Sequence, residues 1–145
     1  MNITVDTNTL VSATFWYGDS FKIITMAENK EIDLILSKDI IKEFFGVLHY
    51  KEIQEKIKDK NLKMKRTVAK IVSISYIVEP KQRLNVCEDD KDNIVLECAK
   101  EGKLKYIITN DEHLLKLKEF EGIKIVTPEE FLRILKIDNK SKQEN

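Results

Sequence analysis

Short β-type runs, each followed by a longer segment of helical period, constrain the fold of this chain more than any other feature. This alternation is typical of βα units and predicts an α/β fold with a parallel sheet. Gly102 and Gly122 lie where we expect helices to stop, and Thr127-Pro128-Glu129-Glu130 carries the signals of a helix start. The predicted strands are Ile3–Asp6, Asp33–Ser37, Tyr76–Glu79, Lys105–Thr109 and Ile123–Val126.

The segment 38–75 carries no convincing strand and is helical in period almost throughout. It therefore predicts two or three helices inserted between the second and third strands. The whole chain of 145 residues is the right size for one domain with a substantial core. We expect this domain to span residues 1–137, because residues 138–145 are wholly polar and predict a frayed tail.

Charge and composition exclude several classes of protein. Lys plus Arg and Asp plus Glu both number 25, so no global field draws the protein to nucleic acid or to a membrane. No apolar run approaches the ~20 residues of a membrane-spanning helix, and the first residues lack a signal-peptide pattern. Cys87 and Cys98 form neither a disulfide framework nor a zinc spacing, which predicts free thiols. We therefore expect a cytoplasmic protein without a membrane span.

Acidic residues lie at the ends of two predicted strands. Asp6 ends the first strand, and Asp111 follows the fourth. In an open parallel sheet, ligands bind beyond the carboxyl ends of the strands, so both positions are candidates for a binding site. Local roles remain open at this point, because Asp6 could brace a turn and Asp111 could cap a helix that begins near Glu112.

Two further acids face inward on predicted helices. Glu43 shares a helix face with Ile40 and Val47, and Asp92 shares one with the apolar residues three, four and seven positions later. A buried carboxylate needs a partner. Alternatives remain: Glu43 could lie partly exposed at the edge of the apolar stripe or pair with Lys38, and Asp92 could simply favour the helix dipole.

These carboxylates would repel one another strongly if they converged, and protonation could relieve only some of that repulsion. At separations of about 5–6 Å, each pair repels by ~3 kcal/mol at an effective dielectric constant near 20. Over the six pairs that four acids form, this repulsion is roughly 18 kcal/mol, more than the ~5–15 kcal/mol stability of a typical domain. A hard divalent cation with oxygen ligands would neutralise all four, so the pattern predicts Mg²⁺ or Mn²⁺.

The acids belong to motifs in a characteristic order: Asp6-Thr7-Asn8, Glu43, Asp89-Asp90-Lys91-Asp92-Asn93, and Thr109-Asn110-Asp111. In this order and spacing, residues 2 to 135 resemble the PIN-domain family, in particular the small bacterial and archaeal PIN proteins that include toxins of toxin–antitoxin pairs. The resemblance implies a three-layer α/β/α fold with a parallel five-stranded sheet of order 3-2-1-4-5. It also implies a Mg²⁺- or Mn²⁺-dependent endoribonuclease acting on single-stranded RNA. A homodimer is frequent in the family, and an antitoxin lays a peptide across the acidic groove of its toxins.

The resemblance also assigns residues. The family's catalytic and metal-binding acids match Asp6, Glu43, Asp92 and Asp111. The polar neighbours that would orient these acids match Asn8 and Thr109. One position departs from the pattern: many relatives have a further Asp two residues after the position of Asp111, where this chain has His113. The departure bears on whether a second metal is bound.

The segment from Lys51 to Lys70 is locally basic, with eight basic against three acidic side chains. It predicts backbone contacts with RNA through Lys63, Lys65 and Arg66, although a solvated helix face gives the same pattern. Two other functions compete with the nuclease. One is a PIN fold that acts as a non-catalytic binding or regulatory module. The other is a phospho-acceptor signalling domain, which needs an Asp after the third strand, where Glu79 and Pro80 lie.

Overall fold

Six strands form one sheet at the centre of the computed structural model, which describes residues 1–50, 53, 55 and 61–144. Their order is β3-β2-β1-β4-β6-β5, and every neighbouring pair is parallel except β5 with β6. The predicted α/β class is confirmed, and each of the five predicted strands is present to within one residue at either end. The strands are β1 (Asn2–Val5), β2 (Asp33–Ser37), β3 (Tyr76–Val78), β4 (Tyr106–Ile108), β5 (Glu119–Phe120) and β6 (Ile123–Val126).

The sheet has one strand more than predicted, because β5 adds a two-residue antiparallel strand at its edge. The connection to β6 is a tight turn in which Glu121 and Gly122 both have positive φ, at 49° and 83°. Positive φ at two central residues is the requirement of a type I′ hairpin turn. The prediction that Gly122 ends a helix is therefore wrong, and its conformational freedom serves this hairpin instead.

Helices connect the strands. The predicted helical insertion between β2 and β3 is confirmed by α3 and α4, and residues 53 and 55 are also helical. The sequence predicts residues 138–144 as a frayed tail, whereas in the structure they continue α7. The wholly polar composition of this segment indicates that it is exposed, but it does not indicate its backbone conformation. The helices are α1 (Thr7–Phe15), α2 (Asp19–Glu28), α3 (Lys38–Leu48), α4 (Asn61–Ile74), α5 (Asp90–Gly102), α6 (Glu112–Leu115) and α7 (Pro128–Glu144).

The core lies around β1 and β4, whose apolar side chains are buried as expected for central parallel strands. These two strands pair in parallel, with Val5 opposite Ile108. Their last residues therefore end side by side, and the polar residues that follow emerge at one edge of the sheet. Both cysteines are free thiols, as predicted, and Cys98 is buried. Among the described residues, no helix is long and apolar enough to cross a membrane.

Candidate active site

Asp6 follows β1 and is held firmly in place. Its Oδ1 atom accepts hydrogen bonds from the backbone N of Thr9 at 3.0 Å and from the Thr9 hydroxyl at 2.5 Å. Its Oδ2 atom accepts the hydroxyl of Thr109 at 2.6 Å. Asp6 thus caps α1, a local role other than the turn brace that the sequence left open, while the bond from Thr109 ties it to the end of β4. A capping role and a place in a binding site are both compatible with this geometry.

Thr109 links two of the predicted acids. Its buried hydroxyl donates to Asp6 and accepts a hydrogen bond from the backbone N of Asp111 at 2.9 Å. Asp111 in turn caps the short helix α6, because its Oδ1 atom accepts from the backbone N of His113 at 2.8 Å and of Leu114 at 3.3 Å. The capping alternative for Asp111 is confirmed. The network joins the ends of β1 and β4 through one threonine side chain.

The other two predicted acids come from helices. Asp92 lies in the first turn of α5 and is buried, as its shared face with the following apolar residues predicted. Glu43 lies on α3 and is half-buried, so the alternative of a partly exposed residue at the stripe's edge describes its exposure correctly. Asp89 caps α5 by accepting a hydrogen bond from the backbone N of Lys91 at 3.1 Å. Two helices therefore present acids toward the edge where β1 and β4 end.

One pocket of about 340 Å³ brings these elements together. Its lining includes all four predicted acids and one of the two predicted supporting residues, Asn8, while Thr109 lies behind Asp6 and Asp111. Their functional roles stay predictions. The lining residues are Asp6, Thr7, Asn8, Glu43, Val47, Tyr50, Ile53, Asp89, Lys91, Asp92 and Asp111.

The sequence prediction missed several residues of this pocket. Helical periodicity puts Asp89 on a different face from Asp92, yet as the residue before α5 it reaches the pocket from the helix end. The N-cap preference for Asp could have indicated this position. Lys91 and Tyr50 had no such signal. Of the predicted RNA contacts, Arg66 is exposed, whereas the side chains of Lys63 and Lys65 lie outside the described part.

The pocket disfavours negative charge on three of its carboxylates. Burial, followed by the charges of Asp111 and Asp89, raises the pKa of Asp92 to about 6. Burial also raises the pKa of Asp6 above its ordinary value, against hydrogen bonds from Thr109 and Thr9 that lower it. Burial raises the pKa of Glu43 in the same direction. Each shift arises first from burial, which disfavours the charged form of a carboxyl group.

The donors around this pocket fit a hard divalent cation, because they are carboxylate, amide and hydroxyl oxygens. The Thr7 hydroxyl lies close enough to Glu43 to act against the rise in its pKa, yet the Thr7 oxygen is buried without a geometrically formed hydrogen bond among the described residues. Such an oxygen is available to a ligand. Within residues 1–50, 53, 55 and 61–144, however, no three acidic, histidine or cysteine side chains already form a metal-binding group. A cation would have to draw these carboxylates closer than they stand.

Comparison with known proteins gives a family. The sequence pattern of the PIN domain matches residues 2–113, more than half of the chain. The chain belongs to the PIN-domain family. PIN domains are typically nucleases that use divalent metal ions, which agrees with an acidic pocket at the carboxyl ends of the strands. The matched residues include all four acids described above.

Relatives of this PIN domain are found by sequence and by structure. An uncharacterised protein of Methanocaldococcus jannaschii, MJ1680, is 30% identical over 145 residues, which cover 91% of this chain and 90% of that protein. The crystal structure of PAE2754 from Pyrobaculum aerophilum is similar at a TM-score of 0.61 and 16% identity, covering 94% of this chain and 90% of the other. VapBC2 from Rickettsia felis, solved with a DNA fragment from its promoter, is similar at a TM-score of 0.59 and 15% identity, covering 88% and 98%. At these identities the two structures support the fold alone.

Proposed function

We propose that this PIN domain is a Mg²⁺- or Mn²⁺-dependent endoribonuclease that hydrolyses phosphodiester bonds in single-stranded RNA. One observation carries the proposal: four acids from the ends of two strands and from two helices line a single pocket. Burial and mutual repulsion raise the pKa of Asp92 to about 6, so the arrangement costs stability in the absence of a cation. A site with a function in binding cations explains why such an arrangement is retained.

The acids divide by their position. Asp6 and Asp111, with help from Asp92, would hold one cation, and Glu43 would hold a second directly or through water. When bound, a divalent cation polarises a phosphoryl oxygen and makes water a competent nucleophile at neutral pH. Thr109 keeps the carboxylate of Asp6 oriented through its 2.6 Å hydrogen bond.

Two polar positions beside the acids refine this proposal. Asn8 lines the pocket, where its amide can orient the neighbouring acids. His113 stands where many relatives have an acid, so we propose that the protein binds the second cation more weakly than the first. The backbone N of His113 is already committed to Asp111, with a hydrogen bond of 2.8 Å.

RNA binding needs positive charge, which the pocket's five acids do not supply. We assign the backbone contacts to the basic segment around α4, with Lys63, Lys65 and Arg66 as the contacting residues. Reversing their charge should weaken RNA binding. It should also reduce the slope of log binding constant against log salt concentration by about 0.7 for each phosphate that the protein no longer neutralises. Unchanged binding by the triple variant would remove this segment from the interface.

We extend the proposal to a toxin of a toxin–antitoxin pair, with an antitoxin protein as partner and a homodimer as the active form. The resemblance to prokaryotic PIN toxins supports this, as does the similar fold in VapBC2 of Rickettsia felis. Growth arrest on expression of the wild-type chain, and normal growth with the Asp6→Asn variant, is the expected result. A wild-type chain that cleaves RNA without slowing growth would indicate an RNA-processing enzyme instead.

The test of the nuclease is cleavage of labelled single-stranded RNA with Mg²⁺, with Mn²⁺ and with chelator. We expect cutting by the wild-type protein that needs metal and is lost in Asp6→Asn and in Asp111→Asn. Asp33→Asn is the matched control, because Asp33 begins β2 at the opposite edge of the sheet. Cleavage retained by Asp6→Asn would contradict the assignment.

A second candidate is a non-catalytic module that binds RNA or protein. It is favoured by the absence, among the described residues, of an assembled group of metal-binding side chains. Folded wild-type protein that binds RNA but cuts none with any metal would support this module over the nuclease.

A further inference from the structure

The pocket is lined by residues of two kinds. Five of them are acids, while Val47, Tyr50 and Ile53 add apolar and aromatic surface. Tyr50 is 55% exposed, so much of its ring is open to a ligand in the pocket that it lines. We propose that Tyr50 is a stacking platform for an unpaired nucleobase next to the phosphate that binds at the acids. This inference rests on the proposed function and deepens it, because it names the part of the site that selects single strands.

The position of Tyr50 follows from where α3 ends. Glu43 and Val47 lie four residues apart on one face of α3, and Tyr50 follows the last helical residue, Leu48, and lines the same pocket. A strand with a phosphate near Glu43 therefore carries an attached base in the direction of Tyr50.

The backbone holds Tyr50 at this place although α3 ends at Leu48. The backbone N of Tyr50 donates to the carbonyl of Val47 at 3.0 Å, and its own carbonyl accepts from the backbone N of Ile53 at 3.0 Å. These two bonds hold Tyr50 beside the end of α3, at the rim of the pocket. A platform that is already in position loses little conformational entropy when a base stacks on it.

Single-stranded nucleic acid matches both kinds of lining residue, the acids and the apolar and aromatic side chains. It joins an anionic phosphate, which a cation at the acids can bind, to a flat apolar face that stacks on an aromatic ring. In a duplex the faces of the bases are covered by their neighbours, so only an unpaired base can lie on Tyr50. Lys91, the basic residue among the described lining residues, can meet a further phosphate.

The test is binding of a fluorescein-labelled single-stranded RNA, measured by fluorescence anisotropy with Ca²⁺ in place of Mg²⁺. Tyr50→Leu should weaken binding by about 5- to 150-fold, the range expected for loss of one stacked base. Tyr50→Phe should restore binding to within about two-fold of wild type, because the ring is kept. Tyr76→Leu is the matched control and should bind as wild type, since Tyr76 is 61% exposed at the start of β3, away from the strand ends that form the pocket.

Two comparisons separate stacking from a structural role. An oligonucleotide with abasic sites should bind wild type and Tyr50→Leu equally, and a blunt duplex should show the same indifference. Equal affinity of wild type and Tyr50→Leu for the intact strand overturns the inference, as does an equal loss on the intact and abasic strands. RNA binding that depends on Tyr50, with no cleavage under any metal, would contradict the proposed nuclease activity and still support Tyr50 as a stacking platform. Cleavage unaffected by Tyr50→Leu at low RNA concentration would overturn the platform alone.

Discussion

Two buried acids on α5 stand in opposite surroundings. Glu97 is 4% exposed and fully satisfied: its Oε1 atom accepts from the Arg83 guanidinium at 3.0 Å, and its Oε2 atom accepts from the backbone N of Leu84 at 3.0 Å. Asp92, five residues earlier on the same helix, is 6% exposed and faces the acids Asp111 and Asp89. Burial alone does not distinguish a structural acid from a functional one; the partners do.

The two acids of α5 have separate tasks. From the middle of the helix, Glu97 holds the segment that leads from β3 into α5, and Asn93 holds the same segment nearer the start of the helix. The Asn93 side chain accepts from the backbone N of Val86 and Cys87 and donates to the carbonyl of Cys87, at distances of 2.8–3.1 Å. This clamp fixes the approach to Asp89, while the first turn presents Asp92 to the pocket. Stability and function are thus carried by different residues of one helix.

The largest difference should appear in activity. Asp92→Asn should lower metal-dependent RNA cleavage by about a hundred-fold or more, because even residues that only orient metal ligands cost 10- to 100-fold when they are removed. Glu97→Gln keeps the shape and should leave cleavage within a few-fold of wild type. Single-turnover cleavage assays at saturating Mg²⁺ compare the two. An equal loss of cleavage activity in both variants would contradict the distinction between Asp92 and Glu97.

Thr109→Val should have the next largest effect. It removes the hydroxyl that donates to Asp6 and accepts from the backbone N of Asp111, so cleavage should fall by about 10- to 100-fold. Thr4→Val is the matched control, because Thr4 is also fully buried, lies on β1, and its hydroxyl contacts the Cys98 sulfur at 3.7 Å instead of a pocket acid. A Thr109→Val protein with wild-type activity at low Mg²⁺ would show that Asp6 needs no support.

Glu97→Ala should show the converse effect. It leaves the backbone N of Leu84 without its charged acceptor and opens space in a buried region, so the free energy of unfolding should fall by about 2–3 kcal/mol. Denaturant unfolding measures this change. Cleavage well below the denaturation midpoint should stay near wild type. A Glu97→Ala protein that is as stable as wild type but inactive would reverse the roles assigned to the two acids.

The smallest predicted effect is on stability as a function of pH. Folding raises the pKa of Asp92 from 3.8 to about 6, so this group favours the folded state when protonated. Its contribution is present below about pH 4 and is lost as pH rises to about 6. Asp92→Asn should therefore be more stable than wild type at pH 7, by about 3–6 °C in Tm, with the difference shrinking toward pH 4. Mg²⁺ should raise the Tm of wild type at pH 7 more than that of Asp92→Asn. A Tm difference that grows on acidification would contradict the sign.

Much of the fold could be predicted from the sequence because its strands are apolar runs in a fixed alternation with helices. The strand β5 could not, since it has two residues and depends on pairing with β6 across the turn at Glu121 and Gly122. A glycine after an apolar run indicates positive φ in either a helix end or a hairpin, and only the partner strand decides between them. The helical continuation to Glu144 could not be predicted either, because the segment is wholly polar and has no apolar period.

The residues of the pocket also divide into those that could be predicted from the sequence and those that could not. Asp6, Asp92 and Asp111 could be placed from strand ends and helix faces, because these periodicities determine where a side chain points. Thr7, Tyr50 and Lys91 could not, because their place in the pocket depends on how α1, α3 and α5 meet. The pairing of Glu97 with Arg83 was equally unpredictable, since 14 residues and a change of element separate them.

The central claim is that the acidic pocket binds a divalent cation, and calorimetric titration with Mn²⁺ tests it without relying on any RNA substrate. Wild-type protein at pH 7 should bind Mn²⁺, and Asp6→Asn should bind it at least about ten-fold more weakly. Asp33→Asn, which changes an acid at the opposite edge of the sheet, should match wild type. Absence of Mn²⁺ binding by the wild-type protein, or equal affinity in Asp6→Asn, would contradict a metal site at the ends of β1 and β4.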